Sequence, residues 1–180
     1  IAYNVSADVK NFAIPGLLKK FDIKNANGKL TVDTKQLQFK GTGNVNGATA
    51  SQADIIYKFT PEEGLDTFIN VEATAPMESL PRFGYPALSY AKGALGVKAD
   101  VKQGAEKEFS SATIDLTNTA LDVKSIGWKK PDKEPATLTL KAEKQNEVLR
   151  VTEFQLEGKD AKASGSATLS KDLSDFEQLQ

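Results

Sequence analysis

Apolar and polar positions alternate with period 2 along most of the chain, the pattern of β-strands with one buried and one wet face. Leu65, Thr67, Ile69, Val71, Ala73 and Ala75 fall on one side of such a strand, and Asp66, Asn70, Glu72 and Thr74 on the other. Phe68 breaks the rule from the polar side. Leu95, Val97, Ala99 and Val101 alternate with Gly96, Lys98, Asp100 and Lys102, as Leu138, Leu140 and Ala142 do with Thr137, Thr139, Lys141 and Glu143. One-sided alternation argues for antiparallel sheet, because parallel strands covered on both faces read as continuous apolar runs. The expected fold class is all-β and mainly antiparallel.

Turn chemistry divides the chain. Asn27-Gly28 and Asn46-Gly47 lie between alternating stretches and predict two-residue hairpins, whose central positions both need positive φ. Further turns are expected at Pro61-Glu62-Glu63-Gly64, at Lys129-Lys130-Pro131-Asp132 and around Lys144-Gln145-Asn146. The segment 76–93, carrying MESLPRFGYPALSYAKG, departs from the pattern. Pro81 and Pro86 interrupt any ladder there, while Leu80, Phe83, Leu88 and Tyr90 recur at near-helical spacing, predicting a short helical or irregular plug across the apolar face. Ile14-Pro15-Gly16-Leu17-Leu18 predicts a smaller interruption. The expected organisation is one β segment, with hairpins over 1–75, the insertion over 76–93 and a second β region over 94–180. Ile1 begins inside an alternation and SDFEQLQ ends without a cap, so a piece of a longer chain is expected.

Many inward positions are small: Ala7, Ala48, Ala50, Ala73, Ala75, Ala99, Ala142, Ala163 and Ala167. Two sheets packed face to face would need large partners opposite each of them. A single long, curved and twisted sheet forming an open apolar groove needs none. Strands of about 9 to 10 residues at ~3.3 Å per residue span about 30 Å, wide enough to cradle hydrocarbon chains. The expected lining is Val5, Val9, Leu30, Val32, Phe39, Ile55, Tyr57, Leu95, Val97, Ile114, Leu116, Leu138 and Leu140.

Composition narrows the chemistry. The 23 basic and 24 acidic side chains nearly cancel and are scattered, so no field gathers phosphate backbones and nucleic acid is not an expected partner. Cysteine and histidine are absent, which removes disulfides, thiolate chemistry, the commonest general base and the commonest metal ligand. Asp115 and Asp122 flank an apolar strand, but nothing nearby in sequence orients them as an acid pair. Ser89-Tyr90-Ala91-Lys92 matches a nucleophile–lysine spacing that chance supplies in a chain this rich in both residues. Gly41-Thr42-Gly43-Asn44-Val45-Asn46-Gly47 places its third glycine one position late for a dinucleotide loop. Neither an enzyme nor a metal or cofactor site is expected. No apolar run reaches the roughly 18 to 20 residues of a membrane-spanning helix.

The stretch 95–169 carries a further pattern. A strand bearing Asp115-Leu116-Thr117 is followed by Gly127-Trp128-Lys129-Lys130-Pro131, then by a strand pair with Phe154, Leu156 and Gly158, and by the small-residue strand Ala163-Ser164-Gly165-Ser166-Ala167. This succession resembles the AsmA-like bacterial envelope proteins of the YhdP type. Phe83-Gly84-Tyr85-Pro86 with Gly93 resembles them less specifically, and Asp132 stands where the pattern usually has glycine. The resemblance implies a groove-shaped sheet in the periplasm of a Gram-negative cell, with the parent protein anchored in the inner membrane. It also implies a part in moving phospholipid, or another acyl-chain lipid, toward the outer membrane. A structural or chaperone-like scaffold, capturing strands at an open sheet edge, is the competing expectation.

Overall fold

The computed structural model describes residues 3–17, 21–83, 85, 87–124, 127–145, 148–169 and 176–179. Every strand pairing is antiparallel, as the one-sided alternation requires. The strands are β1 (Asn4–Leu17), β2 (Phe21–Asp33), β3 (Gln36–Val45), β4 (Ala48–Glu62), β5 (Leu65–Pro76), β6 (Ala91–Gln103) and β7 (Lys107–Asp115). They continue with β8 (Thr119–Val123), β9 (Trp128–Lys130), β10 (Ala136–Gln145), β11 (Val148–Gly158), β12 (Lys162–Leu169) and β13 (Phe176–Leu179). The main ladder runs in sequence order from β1 to β7 and then from β10 to β13. β1 and β13 stand at opposite edges, so the sheet is open rather than closed into a barrel.

The two Asn-Gly pairs have different fates. Asn46-Gly47 is the β3–β4 turn, both residues at positive φ (51° and 95°). Asn27-Gly28, expected as a hairpin, instead lies inside β2. The left-handed backbone near it belongs to Asn25 (φ 53°) and, on β1, Asn11 (φ 50°), where the β1–β2 and β2–β3 registers shift. Asn27 stitches these irregular positions together: its Oδ1 accepts from the Asn11 amide at 2.9 Å and its Nδ2 donates to the Asn25 carbonyl at 2.7 Å. Gly28 is needed for close approach, since a Cβ there would meet the Lys40 carbonyl oxygen at 2.2 Å. The actual β2–β3 turn falls at Thr34-Lys35, where Asp33 Oδ1 accepts from the amides of Lys35 (2.7 Å) and Gln36 (2.9 Å). That Asx turn contains neither Gly nor Pro to announce it.

Ile14–Leu17, expected as an interruption, are the last strand residues of β1, with Ile14 opposite Ile23 and Leu17 opposite Phe21; Leu18 lies outside the described residues. Pro15 falls in the register shift between Ile14 and Leu17 on an edge strand, the kind of irregular position where sheets admit proline. The expected plug is present as a 3-10 helix, Met77–Phe83.

The wet face carries cross-strand charge pairs: Lys40–Asp54 at 3.3 Å, Lys98–Glu72 at 2.8 Å and Lys141–Glu153 at 2.8 Å. Exposed pairs of this kind contribute about 0.2–1 kcal/mol each and serve mainly to keep the face hydrated. Phe68 stands on this side, opposite Ile56, with the Lys58 ammonium 4.9 Å from its ring centre.

Candidate functional site: an open apolar face

Residues directly opposite each other across antiparallel strands share a face, so the registers assemble the apolar side row by row. One row reads Ala7, Leu30, Phe39, Ile55, Ile69, Val101, Ser110, Ala142, Val151 and Ala167 from β1 to β12, without a charged residue. The next row toward the Asn46-Gly47 end contains Val9, Ala53, Val71, Ala99, Leu140 and Phe154. A third continues with Ala73, Val97, Ile114, Leu138 and Leu156. On the other flank, Val5, Val32, Leu37, Tyr57 and Thr67 form a row that turns polar at Gln103 and Glu108.

All the strand residues expected to line a groove therefore share one face, but they do not share one environment. Val5 is 59% exposed and Tyr57 46%, and Val9, Leu30, Val32, Phe39, Ile55 and Leu140 are partly covered. Leu95 (9%) and Leu116 (8%) are buried with Met77, Ala91 and Ala136, and Leu80, Leu88, Val97, Ile114, Leu138 and Leu156 pack against that cluster. Leu95 and Leu116 thus belong to a core and are not free lining. Period-2 reasoning could not find this, because the covering residues come from the two long connections, 77–90 and 116–135. Ile69, Val71, Val101, Phe154 and Leu156 occupy the same rows and were not among the expected lining; alternation puts Ile69, Val71 and Val101 on apolar strand faces, and the cross-strand register adds that those faces are one and the same.

Both long connections leave from the same strand ends, beside the Asn46-Gly47 turn. The opposite ends close tightly, at Thr34-Lys35, Glu63-Gly64 and 104–106. One flank of the apolar face is thereby built up and the other is left low.

The 116–135 connection explains the sequence motifs in structural terms. Asp115 Oδ1 accepts from the Thr117 amide at 2.8 Å, turning the chain out of β7. Thr119, fully buried, donates its hydroxyl to the Ala94 carbonyl at 2.8 Å. Lys130, expected in a solvated turn, is 2% exposed, and its Nζ donates to the carbonyls of Thr119 (2.7 Å) and Pro131 (3.0 Å). A buried ammonium is tolerable only with such partners. Phe154 and Leu156, two residues apart on β11, both reach the apolar face, and the Gly158 amide bonds the Ala161 carbonyl at the turn beyond them.

The two candidate acids have separate partners. Hydrogen bonds from the Thr117 side chain and amide hold the Asp115 carboxyl below its ordinary value, assisted by the charge of Lys130. Asp122 Oδ2 lies 3.5 Å from Lys129 Nζ. Among the described residues no hydrogen bond links Ser89 to Lys92. A carboxyl depressed in the folded state contributes stability that is fully present above its unfolded pKa and lost as pH falls through the folded value. The unfolding midpoint is therefore expected to drop on acidification below the ordinary carboxylate range, and Asp115→Asn to flatten that drop, as read by denaturant titrations at a series of pH values.

Comparison of the chain with protein-family models, with curated proteins and with solved structures found no match.

Proposed function

We propose that this chain is a non-catalytic segment of a periplasm-spanning protein, carrying the acyl chains of phospholipids along its open apolar face between the inner and outer membranes. The observation that carries the reading is an uncharged row crossing the sheet from β1 to β12 with, among the described residues, no second sheet over it. Contiguous apolar surface of that extent is rare on a protein with no partner for it. Hydrocarbon fits it chemically, because each methylene taken from water contributes about 0.8 kcal/mol and the central rows offer no charged group to demand a particular headgroup. Headgroups would face water along the low flank, where Gln103 and Glu108 replace apolar residues. The resemblance to AsmA-like envelope proteins supports the same reading, and transport on it is passive, with low selectivity among lipids.

Native mass spectrometry of the purified chain is expected to find phospholipid bound at non-stoichiometric, chain-length-tolerant occupancy. A chain that remains lipid-free after incubation with phosphatidylethanolamine and phosphatidylglycerol vesicles would remove the proposal. The rival reading, strand capture by a scaffold, draws on the edge strand β1, with Val5 and Phe12 exposed beside its unpaired backbone. It expects binding of extended peptides that charges on the apolar face leave unaltered.

A further inference from the structure

The central rows of the apolar face carry no charge, but its low flank does. On β5 to β11 the flank row reads Thr67, Gln103, Glu108, Lys144 and Leu149. Its two charged residues are neighbours of opposite sign, Glu108 on β7 standing directly opposite Lys144 on β10. Both lie on the apolar side, because alternation gives Glu108 the face of Ser110 and Ala112, and Lys144 the face of Ala142 and Leu140. One row inward, Val101, Ser110, Ala142 and Val151 continue without a charge.

This acid and base are not spent on each other. Residues opposed across an antiparallel ladder have Cβ atoms about 4.5–5.5 Å apart, an easy reach for a glutamate and a lysine. The same arrangement does close on the wet face, in Lys40–Asp54 at 3.3 Å and in Lys98–Glu72 and Lys141–Glu153 at 2.8 Å. Among the described residues no ion pair joins Glu108 to Lys144, and neither side chain hydrogen bonds to another residue. Glu108 and Gln103 are half-buried and Lys144 is exposed, so a headgroup at the rim can reach all three.

We infer that Glu108 and Lys144 form a seat for a zwitterionic headgroup with a primary ammonium, the phosphoethanolamine class. The ammonium rests on Glu108 and the phosphate on Lys144, while Gln103, opposite Glu108 from the β6 side, offers its amide oxygen to the same ammonium. This inference rests on the hydrocarbon-carrying reading above: the acyl chains supply the affinity, and the seat ranks the headgroups. A primary ammonium donates charge-assisted hydrogen bonds to a carboxylate, and its phosphate, one ethylene spacer away, accepts from a lysine on the next strand. Phosphatidylglycerol brings the phosphate but sets a net negative charge beside Glu108. Phosphatidylcholine brings the cation but no N–H to donate. Preference is a difference of affinities, and contacts between exposed charges are weak, so the ranking is shallow and the face stays tolerant.

The test uses the full chain, incubated with vesicles holding equal amounts of phosphatidylethanolamine and phosphatidylglycerol of identical acyl chains, with bound lipid counted by native mass spectrometry. The ethanolamine lipid is expected in about threefold excess, the fold-change an exposed charge contact gives. High salt is expected to shrink that excess. Glu108→Gln is expected to bring the ratio to about one or below, since Lys144 alone favours neither phosphate. Exchanging the charges, Glu108→Lys with Lys144→Glu, is expected to restore the excess, because the headgroup can turn round.

A parent chain that binds both lipids equally, or a Glu108→Gln variant that keeps the parental ratio, overturns the seat and leaves hydrocarbon binding intact. So does an exchanged pair that binds lipid at the Glu108→Gln ratio. A chain that takes up neither lipid overturns the seat and hydrocarbon binding together. A second readout needs no substitution. Phosphatidylcholine with the same acyl chains is expected on the unaltered chain at about half the occupancy of phosphatidylethanolamine, for want of N–H donors. Equal occupancy overturns the contact between ammonium and Glu108.

Discussion

Ile55→Asp is expected to lower acyl-chain occupancy at least tenfold, about 1.4 kcal/mol or more in binding free energy, while the protein stays folded. Ile55 sits mid-row between Phe39 and Ile69 and is only partly covered, so the folded chain keeps the carboxylate hydrated. A hydrocarbon chain laid over it must strip that water, and an unpaired ionised group is costly to desolvate. The informative control is its neighbour. Ile56 faces the wet side opposite Phe68, and Ile56→Asp is expected to leave occupancy within twofold of the parent chain. Both variants would be compared by fluorescent fatty-acid titration beside a circular-dichroism check of the fold. Equal loss in the two would point to general destabilisation, and no loss at Ile55→Asp would favour the strand-capturing scaffold. Leu116 is a poor site for the same test, because at 8% exposure a charge there breaks the core before it meets any ligand.

The second large effect is expected at the junction of the two ladders. Gly93→Ala should cost roughly 2–4 kcal/mol in denaturant unfolding, the range of severe single-site strain plus steric overlap. Gly93 has φ 109°, and a Cβ added to it would lie 2.2 Å from the Asn118 carbonyl oxygen. It stands opposite Thr119, whose carbonyl is held by Lys130. Displacing Asn118 therefore disturbs the buried ammonium as well. Gly127→Ala separates the two causes. Gly127 also has positive φ (65°), but nothing lies within 4 Å of a Cβ there, so strain alone, about 1 kcal/mol, is expected. Similar losses at both positions would mean that the overlap at Gly93 is relieved by backbone movement.

These two experiments also mark how far the sequence could be read. Strand faces were legible because period 2 is a local property: Leu95 through Val101 and Leu138 through Ala142 alternate, and the registers place them as the alternation implies. Identical dipeptides were not legible. Asn46-Gly47 turns the chain and Asn27-Gly28 does not, because the left-handed conformations that asparagine and glycine tolerate serve a bulge as well as a turn, and the neighbouring strand decides between them. The cover over Leu95 and Leu116 was legible in part: the spacing of Leu80 and Leu88 announced a plug across the apolar face, but which strand residues lie beneath it depends on where the segment returns over the sheet, a non-local event that no spacing encodes. Lys130 was hidden most completely, since its partners are backbone carbonyls and a lysine in a Lys-Lys-Pro-Asp run looks like solvent-facing charge.

The in-order ladder has a consequence for scale. Along the main path each strand leans on the strands before and after it, and among the described strands β8 and β9, between β7 and β10, lie off that path. Cross-section and reach are then set by separate quantities: how many residues a strand has fixes the first, and how many strands are stacked fixes the second. Each additional hairpin lengthens the array by about 9–10 Å, two interstrand spacings, and leaves the profile seen end-on unchanged. A gap of any size can be bridged by duplication of a pattern that already works, without reworking a single packed interior.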